Sequence, residues 1–233
     1  MSSSDEKPQV EYRQKRYKPP AGATEILLVR HGASEPARPG VQFPLVDGQA
    51  DPGLAPEGRE QAEQVCRRLS GEHLDAIYVT TLRRTVQTAE PLVRLTGLQP
   101  QVVADLREVH LGEWEGGRFR IMVAQNNPRV QRWRAEERWD VIPGAEQDEA
   151  FAARVRGALD KLAAAHPDQR IAVFTHGAVI AQALAMAAGS RPFAFLGADN
   201  ASISRLVVVD GQYTVRGFND VAHLDHDSSA LLT

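Results

Sequence analysis

Four consecutive aliphatic residues, Ile26 to Val29, sit in the run Thr24-Glu-Ile-Leu-Leu-Val-Arg30 with no polar residue between them. A strand with one wet face alternates apolar and polar residues, so an unbroken run marks a strand covered on both faces, as in a parallel sheet. The run stops at Arg30-His31-Gly32, and a Pro- and Gly-rich loop follows to Pro56. From Glu57 to Leu69 the residues Ala62, Val65, Cys66 and Leu69 share one helical face, which places Cys66 in the core. The cycle then repeats. Ala76 to Val79 is a short strand, and a helix begins near Leu82, with Leu82, Val86, Ala89 and Val93 predicted to face inward until Gly97 ends it. Pro100 to Ala104 reads as a third strand, Glu146 to Ala165 as a helix, Ile171 to Thr175 as another buried strand, and Gly177 to Ala188 as an Ala-rich helix stopped by Gly189. Ser202 to Val209, Asp210-Gly211 and Tyr213 to Gly217 read as a terminal hairpin, because Asp-Gly is a strong turn signal.

Strands alternating with helices imply an α/β fold with a mostly parallel sheet covered on both sides, whose ligands bind at the carboxyl ends of the strands. A chain of 233 residues suits one large domain, or one domain with a modest insertion, since single cores stop growing only beyond roughly 250 residues. A net charge of −3 supplies no positive field for nucleic acid or anionic membrane, and no apolar run approaches the roughly 18 residues of a membrane span. One cysteine cannot build a disulfide framework, which fits a reducing cytoplasm. Met1 to Lys18 mixes acids and bases without an apolar run, so it is neither a signal peptide nor an anchor. Residues 1–22 are therefore expected to be a flexible tail, 23–222 the folded domain, and 223–233 a second tail.

Two strands end on the same short signature, Arg30-His31-Gly32 and Thr175-His176-Gly177. If those strands are neighbours, the imidazoles face each other, each held rigidly at a strand end while the glycine lets the backbone pass close to a ligand. A single strand-end histidine is usually structural; a pair changes that balance. Thr80-Thr81-Leu82-Arg83-Arg84 opens a helix at the same sheet edge, and an arginine in the first turn of a helix suits a phosphoryl group. Arg84 is the expected ligand-facing residue, with Arg83 read as a solvated charge. Glu108, just past the third strand, is placed to act as a proton donor.

The strand ending Leu-Val-Arg-His-Gly, then Leu-Arg-Arg-Thr-Val-Gln-Thr-Ala, then Leu-Arg-Glu-Val-His-Leu-Gly-Glu-Trp-Glu-Gly, then Phe-Thr-His-Gly together resemble the histidine phosphatase superfamily, the phosphoglycerate mutase-like proteins. The motifs span roughly Thr24 to Ala222 in the family's order. The resemblance implies a three-layer αβα fold with a small helical lid insertion, here at about 116–142. It implies that His31 is phosphorylated, that Arg30, Arg84 and His176 surround the phosphoryl oxygens, that Ser34 and the Gly177 N–H add hydrogen bonds, and that Glu108 is the acid and base. No metal and no other cofactor is needed, because those cationic groups supply the positive charge. The implied activity is metal-independent hydrolysis of small phosphomonoesters; a mutase and a phosphate-binding regulatory module are the alternatives. Exposed apolar edges leave a homo-oligomer open.

Two departures matter. Ala37 stands where the family commonly has an Asn amide, and the insertion lacks the basic, Pro-rich segment of cofactor-dependent mutases, carrying instead Arg118, Arg120, Arg129, Arg132, Arg134 and Arg138 beside Trp133 and Trp139. Its arginines read equally as anion receptors or as a solvated lid surface. Other chemistries fail on residues. Glu72 stands six after Cys66 where a cysteine phosphatase needs Arg, and no Gly-rich phosphate loop or Gly-x-Ser-x-Gly elbow occurs. Asp225-His226-Asp227, with His223 nearby, reads as a solvated tail. His73, His110 and His166 are isolated, with only His110 near the expected pocket.

Overall fold

The computed structural model describes residues 12–224; the readings of residues 1–11 and of Asp225-His226-Asp227 lie outside it. Its main sheet has six strands: β1 (Thr24–Arg30), β4 (Ala76–Val79), β5 (Gln101–Val102), β6 (Arg170–Thr175), β7 (Ile203–Val209) and β8 (Gln212–Asp220), in the order β5-β4-β6-β1-β7-β8. Neighbours from β5 to β1 are parallel, and β7 and β8 are antiparallel. The parallel strands lie at the centre, as their unbroken apolar runs require.

Alternation along these strands separates two cores. Ile26 and Leu28 of β1, with Ile171 and Val173 of β6, pack against α5 (Asp148–Ala165) and α6 (Gly177–Ala188). Leu27 and Val29, with Ala172 and Phe174, pack against α1 (Pro56–Leu69) and α2 (Arg83–Thr96). The result is three layers, helix on sheet on helix. Cys66 is buried in the second core, as its place on the α1 stripe predicts.

Several expectations shift. Val86 is 43% exposed rather than inward-facing, because the buried face of α2 runs through Arg84, Thr85, Thr88, Ala89 and Leu92. The third strand shrinks to Gln101–Val102, and a 3-10 turn at Ala104–Leu106 takes over its end. α5 starts at Asp148 rather than Glu146. The loop before α1 holds a small hairpin, β2 (Leu45–Val46) and β3 (Gln49–Ala50). Gly97 and Gly189 end their helices in the left-handed conformation, and Asp210-Gly211, both at positive φ, turn β7 into β8. The insertion folds as α3 (Arg118–Ala124) and α4 (Pro128–Glu136), packed through Phe119, Trp133 and Trp139 with Phe193.

Candidate active site

Register brings the two histidines together. Arg30 lies opposite Thr175 in the β1–β6 pair, so the next residues, His31 and His176, leave adjacent strand ends, and the His31 N–H donates to the Thr175 carbonyl at 3.0 Å. Their ring centroids are 5.2 Å apart at an interplanar angle of 61°. Nδ1 of His31 is 2.8 Å from the Gly32 carbonyl. A carbonyl can only accept, so Nδ1 carries the proton of the neutral ring and Nε2 presents a lone pair. Burial, then the Arg84 and Arg30 guanidiniums, hold His31 well below the usual histidine range, which keeps that lone pair free at neutral pH.

Arg84 stays buried in the first turn of α2 and donates to the Ala50 carbonyl at 2.9 Å. Burial lowers its pKa to about 10, so it remains a cation. Arg83 is half exposed and bonds to Asp51, whose carboxylate also accepts the Arg83 N–H at 2.7 Å, fixing the start of α2. The Arg30 Nη1 donates to the Ala198 carbonyl, while its buried Nε has no hydrogen-bond partner. Glu108 accepts the N–H of Val109 at 3.1 Å and that of Ala178 at 3.2 Å. Burial nevertheless raises its carboxyl above the ordinary range, against the opposing pull of Arg84, those two N–H groups and Arg30.

Above these groups opens a cleft of about 220 Å³, lined by Arg30, His31, Arg84 and Glu108 and walled by Phe43, Trp114, Phe119 and Trp139. Ser34 is not among the residues that line this cleft. The Ser34 hydroxyl accepts from Arg120 at 2.6 Å and lines a neighbouring groove with Ala37 and Asn200. It is the Ala178 N–H of α6 that bonds Glu108 in this structure, next to the Gly177 assigned to the phosphoryl group.

Sequence reasoning passed over several residues that the fold adds. Arg120 of α3 reaches the cleft and lies 5.8 Å from the Phe43 ring centroid. Arg154 donates to the carbonyls of Asp105, Arg107 and Glu108 and pairs with Glu146, clamping the turn that carries Glu108. Thr80 lies 3.0 Å from His176 Nε2. Only Arg120 carried a signal, as one of the insertion arginines. His166 bonds Tyr78, His73 pairs with Asp75, and His223 lies 3.0 Å from the Ala201 carbonyl, all outside the cleft. His110 is not among the cleft-lining residues and accepts the Gly112 N–H.

The family model of the histidine phosphatase superfamily, branch 1, matches residues 26–221. The chain belongs to the histidine phosphatase superfamily. Within it, the chain is 28% identical to phosphoserine phosphatase 1 of Hydrogenobacter thermophilus, over 86% of this chain and 94% of that protein. It is 33% identical to phosphoglycerate mutase-like protein 4 of Arabidopsis thaliana, over 86% and 87%. A solved mycobacterial glucosyl-3-phosphoglycerate phosphatase superimposes with a TM-score of 0.71 at 28% identity, covering 84% of this chain and 99% of that one. Phosphatase names recur among these histidine phosphatase relatives, and phosphoric monoester hydrolysis is the better-supported activity. Among the described residues no helix is long and apolar enough to cross a membrane, and no cluster of metal-ligating side chains occurs.

Proposed function

We propose that this protein hydrolyses small phosphomonoesters through a phosphohistidine on His31. In the first step the Nε2 lone pair of His31 attacks phosphorus, the N–P bond forms as the ester P–O bond breaks, and Glu108 gives its proton to the departing alcohol oxygen. In the second, Glu108 takes a proton from water as that water attacks phosphorus, releasing phosphate and freeing His31. Arg30, Arg84 and His176 carry the charge on the phosphoryl oxygens, and this stabilisation is most of what such a transfer requires. The raised Glu108 carboxyl suits a group that must hold a proton before it gives it. A cleft of about 220 Å³, below the roughly 300–1,000 Å³ of drug-sized ligand sites, favours a small alcohol.

The observation that carries this reading is the His31 ring, its Nδ1 proton committed to Gly32, which leaves Nε2 a lone pair, and its centroid 5.2 Å from that of His176. Reaction mixtures with a phosphorus-labelled phosphomonoester, quenched in alkaline detergent, should hold a phosphoenzyme that survives base and is lost in acid, and turnover should persist in chelator. His31→Ala should abolish the labelled enzyme and lower turnover by at least about 10³. Unlabelled wild type that still turns over, or chelator-sensitive activity, overturns the reading. The mutase-like name of one relative motivates a second acceptor: a monophosphoglycerate with trace bisphosphoglycerate gives released phosphate from a phosphatase and interconverted isomers from a mutase.

A further inference from the structure

Thr80 follows β4 and opens the loop into α2, and its hydroxyl lies between two partners, 3.0 Å from Thr85 Oγ1 and 3.0 Å from His176 Nε2. The protons on this chain can be counted. Thr85 Oγ1 receives the Thr80 N–H at 3.1 Å and lies 2.8 Å from the Leu82 carbonyl. A carbonyl only accepts, so the Thr85 proton goes to Leu82, and Thr85 keeps one lone pair for Thr80. The Thr80 proton fills it. Thr80 Oγ1 already accepts the Leu82 N–H at 3.3 Å, and its last lone pair faces His176, so Nε2 carries a proton and donates. Running the chain the other way would set the Thr85 hydroxyl oxygen 2.8 Å from the Leu82 carbonyl oxygen with no proton between them. Only the first order puts a proton in both oxygen–oxygen contacts, Thr85 to Leu82 at 2.8 Å and Thr80 to Thr85 at 3.0 Å.

The consequence falls on the other ring nitrogen. Nδ1 of His176 is buried with no hydrogen-bond partner. With the proton of the neutral ring on Nε2, Nδ1 presents a lone pair, and a phosphoryl oxygen arriving there would meet lone pair with lone pair. The contact becomes favourable only when Nδ1 also takes a proton. The groups facing this ring are Arg30 and His31 from the end of β1, Arg84 from α2, Arg154 from α5, and Glu108, whose carboxyl bonds the Ala178 N–H of α6. Burial, then Arg84 and the other cations, hold this ring well below the usual histidine range. Two negative charges on a bound phosphoryl group reverse the balance.

Resting on the phosphatase reading, we propose that Thr80 is a positioning residue that commits Nε2 of His176 as a donor, so that a phosphoryl ligand binds together with one proton taken onto Nδ1. The proton comes from solvent when the ligand is a dianion, or with the ligand when it is a monoanion, and it leaves when phosphate leaves. The carboxyl of Glu108 and the ring of His31 are the competing acceptors, so the test must identify the atom as well as the number of protons.

Tungstate, a tetrahedral dianion that carries no proton at neutral pH, is the probe. Calorimetric titration of the full chain in buffers of different ionisation enthalpy should show uptake of about one proton per site. Nitrogen NMR of histidine-labelled protein should show His176 protonated at Nε2 alone in the free state and at both nitrogens with tungstate. Thr80→Val should reduce the uptake to near zero and weaken tungstate about 10-fold, and Thr80→Ser should restore both. No uptake by wild type, a free-state proton on Nδ1, or unchanged uptake in Thr80→Val overturns the inference. If the Val variant does not fold, the NMR result on wild type decides. Phosphate release without proton uptake overturns this inference alone, whereas absence of both tungstate binding and hydrolysis overturns the phosphatase reading with it.

Discussion

At the scale of single residues, two buried groups with opposite tasks are tuned by their surroundings. Burial lowers the His31 imidazole, which favours the uncharged ring that the proposed nucleophile needs, and raises the Glu108 carboxyl, which favours the protonated form that the proposed acid needs. Glu108→Gln should therefore cost about 10² to 10⁴ in kcat on an alkyl phosphate, whose leaving alkoxide needs a proton. On an aryl phosphate, whose phenolate leaves unaided, the loss should stay within about 10-fold. In wild type, kcat/KM on the alkyl ester should fall as pH rises through the elevated Glu108 pKa and strips the acid of its proton. The Gln variant should lack that limb; equal losses on both esters would contradict the assignment. His31, Arg30, His176 and Glu108 could each be named from the sequence, since each ends a local pattern readable over a few residues, and the fold sets them close to one another. Thr80 and Arg154 could not, because their partners lie 96 and 46 residues away and no local signal records them.

At the scale of elements, the loop after β1 is held by the close approach of α1. A Cβ built on Gly58 would stand 1.9 Å from the Ala33 carbonyl oxygen, and one on Gly32 would stand 2.5 Å from the Gly58 carbonyl oxygen. Either contact could be relieved only by shifting backbone, in α1 or in the loop that directly follows His31. Gly58→Ala should lower stability by at least about 2 kcal/mol in urea titrations and depress kcat although residue 58 does not line the cleft. A variant as stable and active as wild type would mean that the loop relaxes freely. Helix periodicity announced α1 and α6 nearly to the residue. It misjudged the inner face of α2, where Val86 turns outward and Arg84, Thr85 and Thr88 turn in, because this helix buries its polar side against the catalytic loop. Thr88 shows the reason: its hydroxyl accepts the Gly32 N–H at 3.0 Å and donates to the Arg84 carbonyl. An apolar-stripe argument has no means of predicting a buried face made for hydrogen bonds.

At the scale of the whole molecule, two neutral histidines in the core make stability depend on pH. Burial depresses both below their ordinary value of about 6.5, so the unfolded chain binds more protons than the folded one as pH falls through that region. Their contribution is complete above about pH 6.5 and is lost on acidification. Between pH 7.5 and 5.5 the loss should be up to about 1.4 kcal/mol for each histidine, measurable by denaturant titration of the protein without ligand. His176→Asn should flatten the curve, and an unchanged slope would show that the ring is charged in the folded state. The sequence by itself determined which strands are buried, where they stop and which reactive side chains stand at their ends, because those properties follow from short runs of apolar residues and the breakers beside them. Only the tertiary structure decided that β1 and β6 are neighbours in register, that α3 brings Arg120 to the cleft, and that Thr80 meets His176. Buried apolar strands resemble one another locally, so their order is chosen by how the whole sheet packs, and contacts between distant side chains exist only once that choice is made.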